Sequence, residues 1–177
     1  MLDRPIVPCL WFDDQAESAA AFYVATFPGG RVTGISHFPE SFDAPGGLRR
    51  GSVLTVEFEI AGQRFTALNG GPMFTLYPSI SFFVFVDTPA EADRLFSALA
   101  DGGTALMPID RYPWSERYGW VQDRFGVSWQ VVPEEIVAWM TSPDVAARDR
   151  TFAAMLQMGK FDLAALTAAF QGTARGG

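Results

Sequence analysis

Two stretches of the chain follow one plan. Trp11-Phe12-Asp13-Asp14-Gln15-Ala16-Glu17-Ser18-Ala19-Ala20-Ala21-Phe22 and Phe85-Val86-Asp87-Thr88-Pro89-Ala90-Glu91-Ala92-Asp93-Arg94-Leu95-Phe96 each run from an apolar strand to an Asp, then to Ala-Glu at the same spacing, then to a Phe five residues after the Glu. Glycine pairs follow at Gly29-Gly30 and Gly102-Gly103. Asp with an acidic first turn suits the unpaired amides that open a helix, and glycine after the last apolar residue suits its end. The chain is therefore read as a duplication, with two units of about 60 residues each.

The rest of each unit reads as strands. In the first, Arg31 to Phe38 is extended, and Ser52 to Ile60 alternates, with Leu54, Val56, Phe58 and Ile60 on one face and Thr55, Glu57 and Glu59 on the other. Ala61-Gly62 turns the chain into Gln63 to Asn69. The second unit gives Ser79 to Asp87, a helix from Pro89 to Ala100, a short strand at Ala105 to Met107, then Tyr118 to Asp123 and Val127 to Val132. The expected fold is α+β: two βαβββ modules, about residues 5–72 and 79–133.

Glu40 to Arg50 and Pro108 to Glu116 read as loops, the second carrying Tyr112 and Trp114. After Pro133 only helical signals remain: Glu134 to Met140, a helix capped by Ser142-Pro143-Asp144 that runs to about Met158, and another from Asp162 to Gln171. Residues 134–177 thus form a helical tail. Phe152, Met155 and Leu156 need a surface to cover, either the domain's own sheet or a partner subunit.

The inventory of reactive groups removes several chemistries. One histidine, His37, and one cysteine, Cys9, cannot build a structural zinc site or an intrachain disulfide. Cys9, in an apolar strand, is expected to be a small buried hydrophobe, and His37 an edge or surface residue. Gly126-Val127-Ser128-Trp129-Gln130 lacks the last glycine of a nucleophile elbow and lies in a strand. No dinucleotide or phosphate loop is present, and Gly29-Gly30 and Gly70-Gly71 read as turns. With 20 acidic against 13 basic residues and a net charge of −7, a polyanion is repelled, so no nucleic-acid partner is expected. The start, MLDRPIVPCLWFDD, has no signal-peptide core. The run from Ile80 to Val86 is far short of the ~20 residues that cross a bilayer, so the expectation is a cytoplasmic protein without membrane contact. The 16 Phe and 5 Trp exceed what a core of this size needs, which points to an aromatic-lined pocket or subunit contact.

Leu10-Trp11-Phe12-Asp13, Ala16-Glu17, Phe22-Tyr23, Phe27-Pro28-Gly29-Gly30, Val56-Glu57-Phe58, Ala67-Leu68-Asn69-Gly70-Gly71-Pro72, Ile80-Ser81-Phe82 and Asp123-Arg124-Phe125-Gly126-Val127-Ser128-Trp129-Gln130 come in an order and spacing that resemble the PhnB-like branch of the vicinal oxygen chelate superfamily, which includes glyoxalase I and bleomycin-resistance proteins. The likeness covers about residues 5 to 170. It implies two βαβββ modules whose strands make a curled mixed sheet, a glyoxalase-like cup with the helices outside, as a rule in a homodimer. Metal enzymes of the superfamily take ligands from the first and last strands of each module, places that fall near Pro8, Asn69, Ser81 and Gln130. A neutral amide and a hydroxyl do not hold a divalent ion against water, so the resemblance implies here a metal-free cup and no cofactor.

The expected ligand is a small, partly apolar or aromatic molecule lying against Phe12, Asn69, Ser81, Phe83, Trp120 and Gln130, with Trp114 closing over it. Two alternatives stand beside this: a metal-dependent lyase, isomerase or dioxygenase that recruits Glu57, Glu59 or His37, and a non-catalytic interaction protein that works through its tail helices. Members of this branch carry a 3-demethylubiquinone 3-methyltransferase label. That chemistry needs a seat for S-adenosylmethionine, commonly a glycine-rich loop after the first strand with an acidic residue for the ribose, and no such loop is present.

Overall fold

The computed structural model describes residues 6–41, 49–112, 115–133, 139, 141–157 and 163–173. The chain forms two compact units, Met1–Ile80 with Asp123–Val127, and Ser81–Gln122 with Ser128–Gly177. Each holds one copy of the repeated module.

In the first unit, β1 (Cys9–Phe12) leads into α1 (Ala16–Thr26), followed by β2 (Arg31–His37), β3 (Val53–Ile60) and β4 (Gln63–Asn69). The sheet order is β1-β4-β3-β2, with β1 parallel to β4 and the other neighbours antiparallel. Strand alternation puts Leu10, Phe12, Val56, Phe58, Ile60, Phe65 and Ala67 on the buried face. Helix α1 meets them with Ala16, Ala19, Ala20 and Tyr23, all buried, the three alanines letting the backbone come close. Phe58 stacks between Phe65 at 5.3 Å and Tyr23 at 5.9 Å. The β3–β4 connection is a two-residue turn with both residues left-handed, Ala61 at φ 47° and Gly62 at φ 77°, the twist a tight hairpin requires.

The second unit repeats the plan with β5 (Phe82–Val86), α2 (Pro89–Ala100), β6 (Thr104–Tyr112), β7 (Ser115–Gln122) and β8 (Ser128–Pro133), ordered β5-β8-β7-β6. Thr88 caps α2, its hydroxyl accepting the Glu91 amide at 3.2 Å, and Pro89 occupies the first turn. Ala92, Leu95, Phe96 and Leu99 of the helix are buried, as are Val86, Val121, Trp129 and Val131 of the sheet. Gly119 is glycine because the Phe96 ring lies on it: a Cβ there would come within 2.5 Å of the ring.

Four details differ from the sequence reading. Pro108 to Tyr112 continue β6 as strand, and β7 begins at Ser115; β6 is an edge strand with register shifts, where a proline's missing amide costs nothing. Cys9 is exposed, since its strand turns that residue away from α1. The tail helix α3 (Val145–Gln157) starts one residue after Asp144, whose carboxylate accepts the Ala147 amide at 2.9 Å, so Pro143 precedes the cap. Only Met155 of the expected apolar trio packs inward, with Ala154 and Phe170 on the Trp139–Leu166 cluster, while Phe152 and Leu156 are exposed. Helix α4 (Leu163–Gln171) completes this hairpin, and Arg150 of α3 donates to the carbonyls of Ala169 and Phe170 at its end. Of the expected helix at 134–140, only Trp139 lies among the described residues.

Candidate functional site

A sheet with a helix on one side has a second face. In the second unit that face takes alternate residues of each strand: Phe83 and Phe85 of β5, Gln130 and Val132 of β8, Tyr118 and Trp120 of β7. The register lines up Phe83, Gln130 and Trp120 as one row across three strands. Phe83 and Phe85, 56% and 48% exposed, stand edge to face at 6.1 Å.

Gln130 sits in the middle of this aromatic surface with its amide engaged on both sides. The Tyr118 hydroxyl donates to Gln130 Oε1 at 2.6 Å, and Gln130 Nε2 donates to Ser81 Oγ at 2.7 Å. Trp120 Nε1 donates to Ser128 Oγ at 2.7 Å, which fixes the indole plane. Tyr118 is buried and lies edge-on to Tyr112 at 5.6 Å. Burial, and to a lesser degree the neighbouring Tyr112, push its pKa up, so it stays a neutral phenol.

Four of the residues singled out from sequence, Ser81, Phe83, Trp120 and Gln130, are thus brought together. Tyr118 and Phe85 join them and were missed, although both share the parity of residues already chosen. Trp114 lies outside the described residues. Phe12 and Asn69 lie on the other side of the first sheet, the side that α1 covers. Phe12 is core, edge-on to Phe125 at 6.5 Å. Asn69 Oδ1 accepts the Ala16 amide at 2.8 Å and its Nδ2 donates to the Val53 carbonyl at 3.0 Å, so the side chain caps α1 and ties β4 to β3. The helix-start signal read at Asp13 gives way to this long-range cap.

The duplication explains the misplacement. Aligning Phe12 with Val86 matches the pair Cys9–Thr66 of the first sheet with Phe83–Gln130 of the second, and Glu57 with Trp120. The first-module counterpart of Gln130 is therefore Thr66. Asn69 lies three residues further on, an odd number, and so points the other way.

The first unit's open face is built differently. Thr66 donates to Glu57 Oε2 at 2.6 Å, Ser36 and Thr55 share a hydrogen bond at 2.6 Å, and Arg31 pairs with Glu59 at 2.8 Å. Desolvation, then the Glu57 carboxylate, raise the Cys9 pKa. The Trp11 indole donates to the Gly71 carbonyl at 2.9 Å, lies over Gly70, and meets Phe74 edge-on at 5.0 Å.

Neither face fits a divalent ion. Among the described residues no three His, Cys, Asp or Glu side chains gather. Gln130, Ser81 and Tyr118 are neutral, and the amide oxygen of Gln130, the best ligand atom among them, already accepts the Tyr118 hydroxyl. A cofactor bound at a helix N-terminus is also poorly served: the Ala16 amide of α1 is taken by Asn69 and the Glu91 amide of α2 by Thr88.

No curated protein matches the chain. Among solved structures, a PhnB protein from Bacillus cereus described as a putative 3-demethylubiquinone-9 3-methyltransferase is 35% identical, over 73% of this chain and 99% of its own, with a TM-score of 0.66. Protein PA1353 from Pseudomonas aeruginosa is 30% identical over 75% of this chain and 98% of its own, at 0.60. A genomically encoded fosfomycin resistance protein from Listeria monocytogenes, solved with Mn(II) and sulfate, is 13% identical over 78% of this chain and 97% of its own, at 0.51, a likeness of fold alone. Residues 4–132 match the family described as 3-demethylubiquinone-9 3-methyltransferase. With its repeated βαβββ module and its likeness to a PhnB protein, the chain belongs to that PhnB-like family.

Proposed function

We propose that this protein binds a small, partly apolar or aromatic molecule on the open face of the second sheet, without a resident divalent metal. The observation that carries this reading is the row Phe83, Gln130, Trp120: two large aromatics flanking one amide that is oriented by Tyr118 and Ser81. Such a surface offers stacking and dispersion together with a defined polar contact, which is how selective small-molecule sites are built.

Methyl transfer from S-adenosylmethionine, the reaction in the family's description, receives no support from the residues. The β1–α1 turn, Asp13-Asp14-Gln15, contains no glycine, and one N-terminal amide of each module's helix is already taken by Asn69 or Thr88. The residues considered for a metal stand apart in their bonding: Glu57 is engaged by Thr66, Glu59 by Arg31, and His37 is exposed on the edge strand β2.

Tryptophan fluorescence and thermal shift against a panel of aromatic fragments test the reading. Binding should quench emission, and Trp120→Phe should abolish most of that quenching. A panel in which no fragment alters either signal refutes it. Elemental analysis of protein purified without chelators tests the metal part, and a stoichiometric transition metal or magnesium would overturn it. The family likeness further supports a homodimer, and we propose that it acts in the cytoplasm. Light scattering and fractionation measure these two points.

A further inference from the structure

The polar centre of this face has a direction. A phenol oxygen, with its lone pair drawn into the ring, donates better than it accepts, and the buried, protonated Tyr118 spends its hydrogen on Gln130 Oε1. That fixes which end of the amide faces which neighbour, and Nε2 then donates to Ser81 Oγ. Among the described residues neither Gln130 nor Ser81 makes a further side-chain hydrogen bond. Two hydrogens therefore remain: the second on Nε2, about 120° away from the one aimed at Ser81, and the hydroxyl hydrogen of Ser81. Both are donors: Gln130 lies in the row flanked by Phe83 and Trp120, and Ser81, two residues before Phe83, is held to it by the Nε2 hydrogen bond.

We infer that the site selects a planar aromatic molecule carrying neutral carbonyl oxygens, with Gln130 and Ser81 as the recognising donors and Tyr118 as a positioning residue that keeps the amide donor-outward. This rests on the binding reading above and narrows it. The remaining hydrogens favour oxygen acceptors over amines and other donors. Charge decides between a carbonyl and a carboxylate: the β6–β7 register sets Asp110 opposite Tyr118, so an anion is repelled and a neutral oxygen is preferred.

Four probes of one shape separate the outcomes: acetophenone, ethylbenzene, benzoate and benzylamine, titrated into the full chain while the Trp120 indole and Gln130 side-chain amide signals are followed by NMR. Acetophenone should shift both signals and bind about fivefold to tenfold more tightly than ethylbenzene, the increment of one net hydrogen bond. Tyr118→Phe should cut that ratio toward unity while ethylbenzene still binds, because the amide is then free to turn. A merely structural Tyr118 would weaken both probes equally and leave the ratio unchanged, which refutes its positioning role. Gln130→Glu, which offers only acceptors at neutral pH, should remove the acetophenone advantage. Equal binding of acetophenone and ethylbenzene, with the indole signal shifted, overturns this inference and leaves the binding reading standing. Tighter binding of benzylamine or benzoate overturns it as well. If no probe moves the indole signal, the binding reading itself fails.

Discussion

Replacing Asn69 with alanine asks whether that amide serves the helix or a ligand. Its carboxamide joins two backbone groups, the Ala16 amide at the start of α1 and the Val53 carbonyl at the start of β3. Asn69 is 5% exposed, so water does not readily replace it. Loss of a helix cap costs about 1 kcal/mol, and a buried carbonyl left without a donor costs about 1 to 3 more. The sum, about 3 kcal/mol, lowers the melting temperature of a chain this size by roughly 6 to 12 °C. Urea unfolding followed by circular dichroism measures the same quantity as a fall in midpoint at constant slope. Asn69→Asp keeps the acceptor for Ala16 but sets a carboxylate oxygen against the Val53 carbonyl, so it should not rescue the loss at neutral pH. A loss smaller than about 1 kcal/mol for Asn69→Ala, together with weaker binding of an aromatic fragment, would refute the structural assignment.

The other expectations are smaller or act elsewhere. Gln130→Ala, on a half-exposed face, should lower acetophenone affinity by about fivefold or more while shifting the unfolding free energy by under about 1 kcal/mol; the reverse pattern, read by titration and urea melts, would make Gln130 structural. Ala61→Gly should raise stability by about 0.5 to 1 kcal/mol in urea unfolding, because Ala61 holds a left-handed φ of 47° that glycine adopts freely. Tyr23 donates to Asp123 Oδ2 at 2.8 Å, and burial, then Asp123, raise its pKa well above the ordinary value. The folded chain therefore keeps a proton that the unfolded chain releases above about pH 10. Stability should be insensitive to this group below that pH and fall as pH rises beyond it, and Tyr23→Phe should flatten the decline seen in midpoints between pH 9 and 11.

Much of the fold could be read from local signals. The duplication and the alternation of β3 set the strand order's plan, and β4 and α2 run over the residues expected, Gln63–Asn69 and Pro89–Ala100. What escaped was set by long-range geometry. The residue that caps α1 comes from β4, 53 positions away, so no inspection of Asp13 to Ala16 could reveal it. β6 was cut short because Pro108 and Trp114 suggest a loop, whereas an edge strand tolerates a proline. For the site, parity within β8 placed Gln130 on the open side, but carrying the family positions onto β4 put Asn69 on the wrong side. Counting from the first module's own register would have led to Thr66. Tyr118 could have been found from its two-residue spacing to Trp120.

The chain's single thiol has a practical side. Cys9 is solvent-accessible and belongs to the first sheet, while the aromatic row belongs to the second. Desolvation and the Glu57 carboxylate keep the sulfur protonated, which makes it sluggish toward oxidants and dimerising disulfides at neutral pH. In more strongly alkaline buffer, where the thiolate forms, it becomes a handle for attaching one fluorophore or spin label per chain with no engineered cysteine.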